Sequence, residues 1–280
     1  MSAADEQVLA LVGGHLGRLF RADLAQRVRI GAVPAKDNQR AWRKRALTAV
    51  SSSRWAGTIT RTSEDQYQLA IRCRREDRVS LRRAIWTIRG RLGVTCGQRQ
   101  GRTRGYADQA ERWQKQQRLI ALEARLAAVE RQIEQGHPAI TMAGRRLMTA
   151  RHHLENAGLT ERQWRARWDA ARLFLTADGE SGAPWGNYTI TVDPGDGSVT
   201  LVLPEPLRHL ANSPRGRYRL DCGVTFHHRR GEWLDRATAH RAIRYDIVHD
   251  PDRGRWYLNA SWSTEVVTPP APDELTKTGT

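Results

Sequence analysis

Asp178-Gly-Glu-Ser-Gly182 divides the chain into two textures. Upstream, apolar residues recur every three or four positions among arginines, which is the period of a helix. Downstream, β-branched and aromatic residues alternate between turn signals, which is the period of a strand. Helices gathered before strands, rather than interleaved with them, predict an α+β fold. The division is an α-helical part over 1–177, a small β part over 178–265, and a Pro/Thr-rich linker or frayed end over 266–280.

Working upstream, the clearest helix spans 106–135, where Leu119, Leu122, Leu126, Val129 and Ile133 form a coiled-coil seam. Gly136-His-Pro138 stops it, since proline cannot continue a helix. A second seam, Leu81, Ile85, Ile88 and Leu92, lies within 65–92, so two antiparallel helices can bury both stripes and leave the Gly/Arg/Thr-rich 93–105 at the tip. A further helix begins at Thr160, with Glu161 and Gln163 as its start signal, and runs through Trp164 and Trp168, which share a face, to Leu175. The segment 142–156 also reads as helical, with Gly158 as its stop, and 6–20 is helical through Val8, Leu11, Val12, Leu16 and Leu19.

Working downstream, 188–192 and 198–203 flank Asp193-Pro-Gly-Asp-Gly197 as a hairpin, and 244–248 with 256–262 flank Asp250-Pro-Asp-Arg-Gly254 as a second. Between them, 217–226 alternates Tyr218, Leu220, Cys222, Val224 and Phe226 on one face. Five or more short strands, each with one apolar face, predict a small closed antiparallel barrel.

The formal charge is +16, carried by 42 arginines and four lysines. Such a balance attracts polyanions, and guanidinium forks two hydrogen bonds onto phosphate or guanine. GC-rich coding would also favour arginine over lysine, but it does not account for the net charge. Cys73, Cys96 and Cys222 are far apart and form no C-x-x-C pair, which predicts neither a disulfide framework nor a zinc ribbon. No apolar run is long enough to span a bilayer and the first residues lack a secretory signal, so a cytoplasmic protein without membrane contact is expected.

A nuclease of the two-metal kind needs converging carboxylates. Asp178, Glu180, Asp193, Asp196, Asp246, Asp250 and Asp252 sit mostly in turns, where aspartate serves local hydrogen bonding. Neighbouring histidines diverge on helix or strand, so neither His152-His153 nor His227-His228 can chelate one metal unaided. Phosphate-loop, esterase-elbow and dinucleotide signatures are missing. Basic segments with interleaved aromatics remain. They are Arg40-Ala-Trp-Arg-Lys-Arg45, Arg54-Trp55, 99–104, Arg145-Arg146 with Arg151, and Arg162 with 164–168. They pair phosphate neutralisation with rings on which bases can stack, although any one of them also reads as an ordinary amphipathic helix.

Ser53-Arg-Trp-Ala-Gly-Thr-Ile-Thr60, Arg104-Gly-Tyr-Ala-Asp-Gln-Ala-Glu-Arg112, Gly144-Arg-Arg-Leu147 with Thr149-Ala-Arg-His-His-Leu154, and Phe174-Leu-Thr-Ala-Asp-Gly-Glu180 follow one another in order. Gly216-Arg-Tyr-Arg-Leu220, Ala242-Ile-Arg-Tyr-Asp246 and Gly254-Arg-Trp-Tyr-Leu258 continue the series. It resembles the TnpB-like transposon-encoded RNA-guided endonucleases, relatives of type V CRISPR effectors. The resemblance implies that the helical part is a recognition lobe and the barrel an OB-like wedge domain. Its partners would be a guide RNA, target DNA and a separate nuclease fragment. Arg99, Arg102, Arg104, Arg145, Arg146, Arg151, His152, His153 and Arg165 are the expected RNA contacts, and Arg54 and Trp55 the expected DNA contacts.

In the family a RuvC-type domain with catalytic acids, Mg and a zinc ribbon follows the wedge. It is expected to be absent from this chain, so no catalytic residue, metal ligand or cofactor is carried over. The wedge strand that the family places before the helices is not found either, because 6–20 is helical. An alternative from another class is a coiled-coil interaction protein whose basic charge is incidental.

Overall fold

The first helix, α1 (Ala3–Ile30), begins where the Ser2 hydroxyl accepts the Asp5 amide and the Asp5 carboxylate accepts the Ser2 amide. This reciprocal cap satisfies two amides that a helix start leaves free. The computed structural model describes residues 1–264, so the 266–280 tail lies outside the described residues. Val8, Leu9, Val12, Leu16, Phe20 and Leu24 form the buried stripe of α1, which runs past both ends of the expected 6–20. After α2 (Arg40–Thr48), helix α3 (Ser53–Leu92) continues for 40 residues, about 60 Å at 1.5 Å per residue.

Helix α3 has two neighbourhoods. Its first turns bury Trp55, Ala56 and Ile59 in the main core. Beyond Tyr67 it becomes one arm of the expected antiparallel hairpin, with α4 (Gln109–Gln135) as the other. Leu81, Ile85, Ile88 and Val129 are buried along the seam. The tip segment, expected to be a loop, is a two-stranded ribbon of β1 (Arg99–Gln100) and β2 (Thr103–Arg104). At the far end Gly136 has φ 67°, and a Cβ there would lie 2.2 Å from the Ala32 nitrogen. Only glycine allows this cap and the close approach of the chain leaving α1.

Buried charges tie the helices together. Arg27 donates to both Glu64 oxygens and to the Gly31 carbonyl and lies over the Tyr67 ring, while Arg43 pairs with buried Asp23. Burial pushes the Glu64 carboxyl up, but hydrogen bonds from Arg27 and Gln68 and the charges of Arg27 and Arg43 hold it below its ordinary value. A depressed folded pKa gives stability that is present above the unfolded value, about 4.3, and lost as pH falls through the folded one.

The segment expected to be helical over 142–156 is helical only in α5 (Arg145–Ala150), followed by a 3₁₀ turn that Gly158 closes at φ 63°. Thr160 caps α6 (Glu161–Ala170) with Gln163, as its start signal predicts. This helix ends before Leu175, because Phe174 and Leu175 turn into the core to lead β3 (Thr176–Ala177).

The remaining strands are β4 (Ile190–Val192), β5 (Ser198–Val202) and β6 (Arg217–Gly223), then β7 (Arg244–Asp250) and β8 (Arg255–Ser261). Helix α7 (Arg230–Thr238), which the strand pattern did not anticipate, precedes the last two. Both expected hairpins form. In place of the expected closed barrel, however, the described residues make two antiparallel sheets, β4-β5-β6 and β3-β7-β8, with no ladder between them. At β6 the Asp221 amide goes to the buried Asp5 carboxylate of α1, so a helix covers an edge that another strand would have to close. The fold is α+β, a helical part with small antiparallel sheets, and one hydrophobic cluster runs from α1 and α3 through both sheets across position 178.

Asn187, fully buried, links the sheets. Its amide nitrogen donates to the Ala177 and Ile243 carbonyls and its oxygen accepts the Thr189 and Ile190 amides. Asn187→Ala strands four backbone groups and is expected to lower unfolding stability by about 2–4 kcal/mol in urea titration. Glu64→Gln is expected to flatten the acid limb of the stability–pH curve between about pH 5 and 3, where the wild-type protein loses this contribution.

Candidate nucleic-acid interface

Trp164 fixes the geometry of the basic segment that follows α4. Its indole N–H donates to the Leu147 carbonyl at 2.8 Å, and its ring stacks on Trp168 with centroids 5.4 Å apart. Arg172 lies over the other ring, 5.3 Å from its centroid. These two aromatics share a face, as their spacing predicts, but they are occupied in holding α5 against α6 rather than being free for bases.

Held there, α5 faces the β7–β8 turn across an open groove of about 1230 Å³. Its floor is largely apolar, with Leu147, Ala150, Leu159, Val248 and Tyr257, and its rim carries Arg145, Arg146, His153 and Arg167. Arg167 donates to Asp252 at 2.9 Å and so ties α6 to the turn. Val248 and Tyr257 are register partners on the outer face of the sheet, 48% and 38% exposed, while Tyr245 and Ile247 point into the core. An apolar pair on the solvent face of a hairpin is otherwise hard to explain.

Of the expected RNA contacts, Arg145, Arg146 and His153 line the groove, and Arg151 and His152 are exposed on the same segment. Arg145, Arg146 and Arg151 have no ion-pair partner among the described residues. Arg165 is exposed and pairs with Glu161 four residues earlier, an interaction worth a few tenths of a kcal/mol at most and easily exchanged. Arg99, Arg102 and Arg104 are brought together separately at the ribbon tip, where Arg99 faces Arg104 in register and all three are exposed.

The pair expected on the DNA side separates. Arg54 is exposed, with its guanidinium 4.0 Å from the Tyr188 ring centroid and its Nε 3.4 Å from Glu180. Trp55 must be withdrawn as a contact. It is 0% exposed, and its indole N–H donates to the Val202 carbonyl at 2.9 Å. Adjacent positions on a helix point about 100° apart, which is enough to send one to solvent and the other to the core.

The turn aspartates serve local structure. Asp193 accepts the Gly195 amide, Asp196 the Ser198 amide, and Asp250 the amides of Asp252 and Arg253. Hydrogen bonds from Ser198 are the main reason the Asp196 carboxyl sits below its ordinary pKa. Asp178 lies between Arg61 and Arg244, and Asp246 accepts the Thr176 hydroxyl. Among the described residues no three His, Cys, Asp or Glu side chains are grouped to hold a metal ion, and no helix is long and apolar enough to cross a membrane.

Comparison with protein-family models, curated proteins and solved structures finds no match to this chain. Sequence reasoning missed Val248 and Tyr257 as groove residues. The available signal was that both break the polar side of the strand alternation. Trp55→Ala is expected to cost about 3–5 kcal/mol of unfolding stability, and Arg54→Ala less than about 0.5 kcal/mol; denaturant titration of the two variants checks the assignment.

Proposed function

We propose that the chain binds guide RNA and target DNA as the non-catalytic part of a TnpB-like RNA-guided DNA-targeting protein. On this reading the helices act as its recognition lobe, the two small sheets as a wedge-like, OB-like grip, and a separate nuclease fragment as a further partner. The observation that carries nucleic-acid binding is the groove between α5 and the β7–β8 turn. Its rim holds Arg145 and Arg146, neither of which pairs with a described carboxylate, above an apolar floor that includes the exposed ring of Tyr257. Phosphate oxygens suit the guanidinium forks and an unstacked base suits the floor. The net charge of +16 supplies long-range attraction, and the ordered series of TnpB-like segments is what supports the narrower family reading.

No residue of the chain is assigned a part in cutting, since the turn carboxylates are engaged by backbone amides and arginines. The alternative, a coiled-coil interaction protein, draws support from Trp86, Trp113 and Ile120, which are 77%, 61% and 60% exposed on the helical hairpin. Against it, the apolar seam of that hairpin is closed within the chain, where Leu81, Ile85, Ile88 and Val129 are buried. A stable homodimer with no co-purifying nucleic acid in size-exclusion chromatography would favour the alternative.

Filter binding of structured RNA across a salt series tests the proposal. Arg145→Gln/Arg146→Gln is expected to weaken binding and reduce the slope of log K against log salt by about 1.4, roughly 0.7 for each lost single-strand phosphate contact, with unchanged circular dichroism. A wild-type protein that ignores RNA at low ionic strength would overturn the reading.

A further inference from the structure

The two flanks of the α3–α4 hairpin treat their cations differently. On one flank Arg82 donates to Glu130 at 2.6 Å and Arg89 to Glu123 at 2.7 Å, so the exposed arginines that reach across the seam are neutralised. The other flank has an open groove of about 410 Å³, lined by Arg83, Arg91, Lys115 and Arg118 together with the hydroxyls of Ser80 and Thr87, and no carboxylate. None of these four cations makes an ion pair with a described residue.

Four like charges gathered without a counter-charge repel one another, and a fold that needed them only for solubility could have paired them as the opposite flank does. The groove is also ordered before any ligand arrives. Arg91 lies 4.1 Å from the centroid of the Tyr106 ring and its Nε donates to the Arg104 carbonyl at 3.1 Å, which joins the groove to the arginines of the tip ribbon. Arg83, Thr87 and Arg91 follow at intervals of four residues, a row about 12 Å long on one side of the helix. Tyr106 is the one aromatic residue of the lining, and at 1% exposure beneath Arg91 it offers no face for a base to stack on. Single-strand binders depend on such faces, whereas phosphate contacts need only cations and hydroxyl or amide donors.

We propose that this flank is a sequence-independent track for the phosphodiester backbone of a nucleic-acid duplex. The proposal rests on the nucleic-acid reading above and adds a second site, on the hairpin arm, that no basic motif in the sequence marks.

The test is fluorescence anisotropy of the full chain with labelled duplexes across a salt series. Arg83→Gln/Arg118→Gln removes two exposed charges from the track, and Arg82→Gln/Arg89→Gln removes two from the paired flank. On duplex DNA the first pair is expected to lower the slope of log K against log salt by about 1.8, roughly 0.9 for each lost contact, equally for unrelated sequences. The second pair should leave the slope unchanged within error. A duplex RNA arm shows which backbone is held more tightly. Equal losses from the two pairs would mean a diffuse field and overturn the track, as would a larger effect on single strands than on duplexes. Wild-type binding that survives Arg83→Gln/Arg118→Gln intact defeats this proposal alone; a wild-type chain that binds no nucleic acid defeats the proposed function as well.

Discussion

The structure depends on a single helix being held at one end. The first turns of α3 are locked in the main core, with Trp55 fully buried and its indole bonded to the Val202 carbonyl of β5, while the last two-thirds of the same helix carry the hairpin arm. A continuous helix transmits orientation along its length, since bending it would stretch its backbone hydrogen bonds. Anchoring at Trp55 therefore sets where the ribbon tip and the cationic flank lie relative to the sheets. Tyr67, whose hydroxyl donates to the Gly136 carbonyl, fastens the returning arm at the same level.

Arginine content alone overstates the surface available for a polyanion. Arg27 and Arg43 are buried and bind Glu64 and Asp23, so they hold helices together. Others, such as Arg82, Arg89 and Arg244, face carboxylates across element boundaries. The cations left over are grouped on the tip, the rim of the α5 groove and one hairpin flank. That grouping, rather than the total of 42, is what a codon bias toward arginine would not produce.

Periodicity made much of the fold legible. The seams of α3 and α4, the Thr160 cap, and the turn at Asp193–Gly197 depend on residues within a few positions of one another, and local spacing reports them directly. Trp55 illustrates the limit. An arginine beside a tryptophan reads the same whether the ring stacks on a base or fills a core, because burial is set by what packs from β5, distant in sequence. The barrel was overread for a similar reason. Strand pattern counts strands, but closure depends on which edges find partners, and β6 finds Asp5 of α1.

Taken by itself, the chain of residues determined the basic charge, the α+β order, the helical hairpin and the two β-hairpins, because these follow from composition and from contacts a few residues apart. Tertiary structure alone decided which arginines are paired, that Trp55 and Asn187 are core, and that Arg83, Arg91, Lys115 and Arg118 meet in one groove. Those outcomes depend on side chains brought together from distant segments, and neither spacing nor composition encodes such distances.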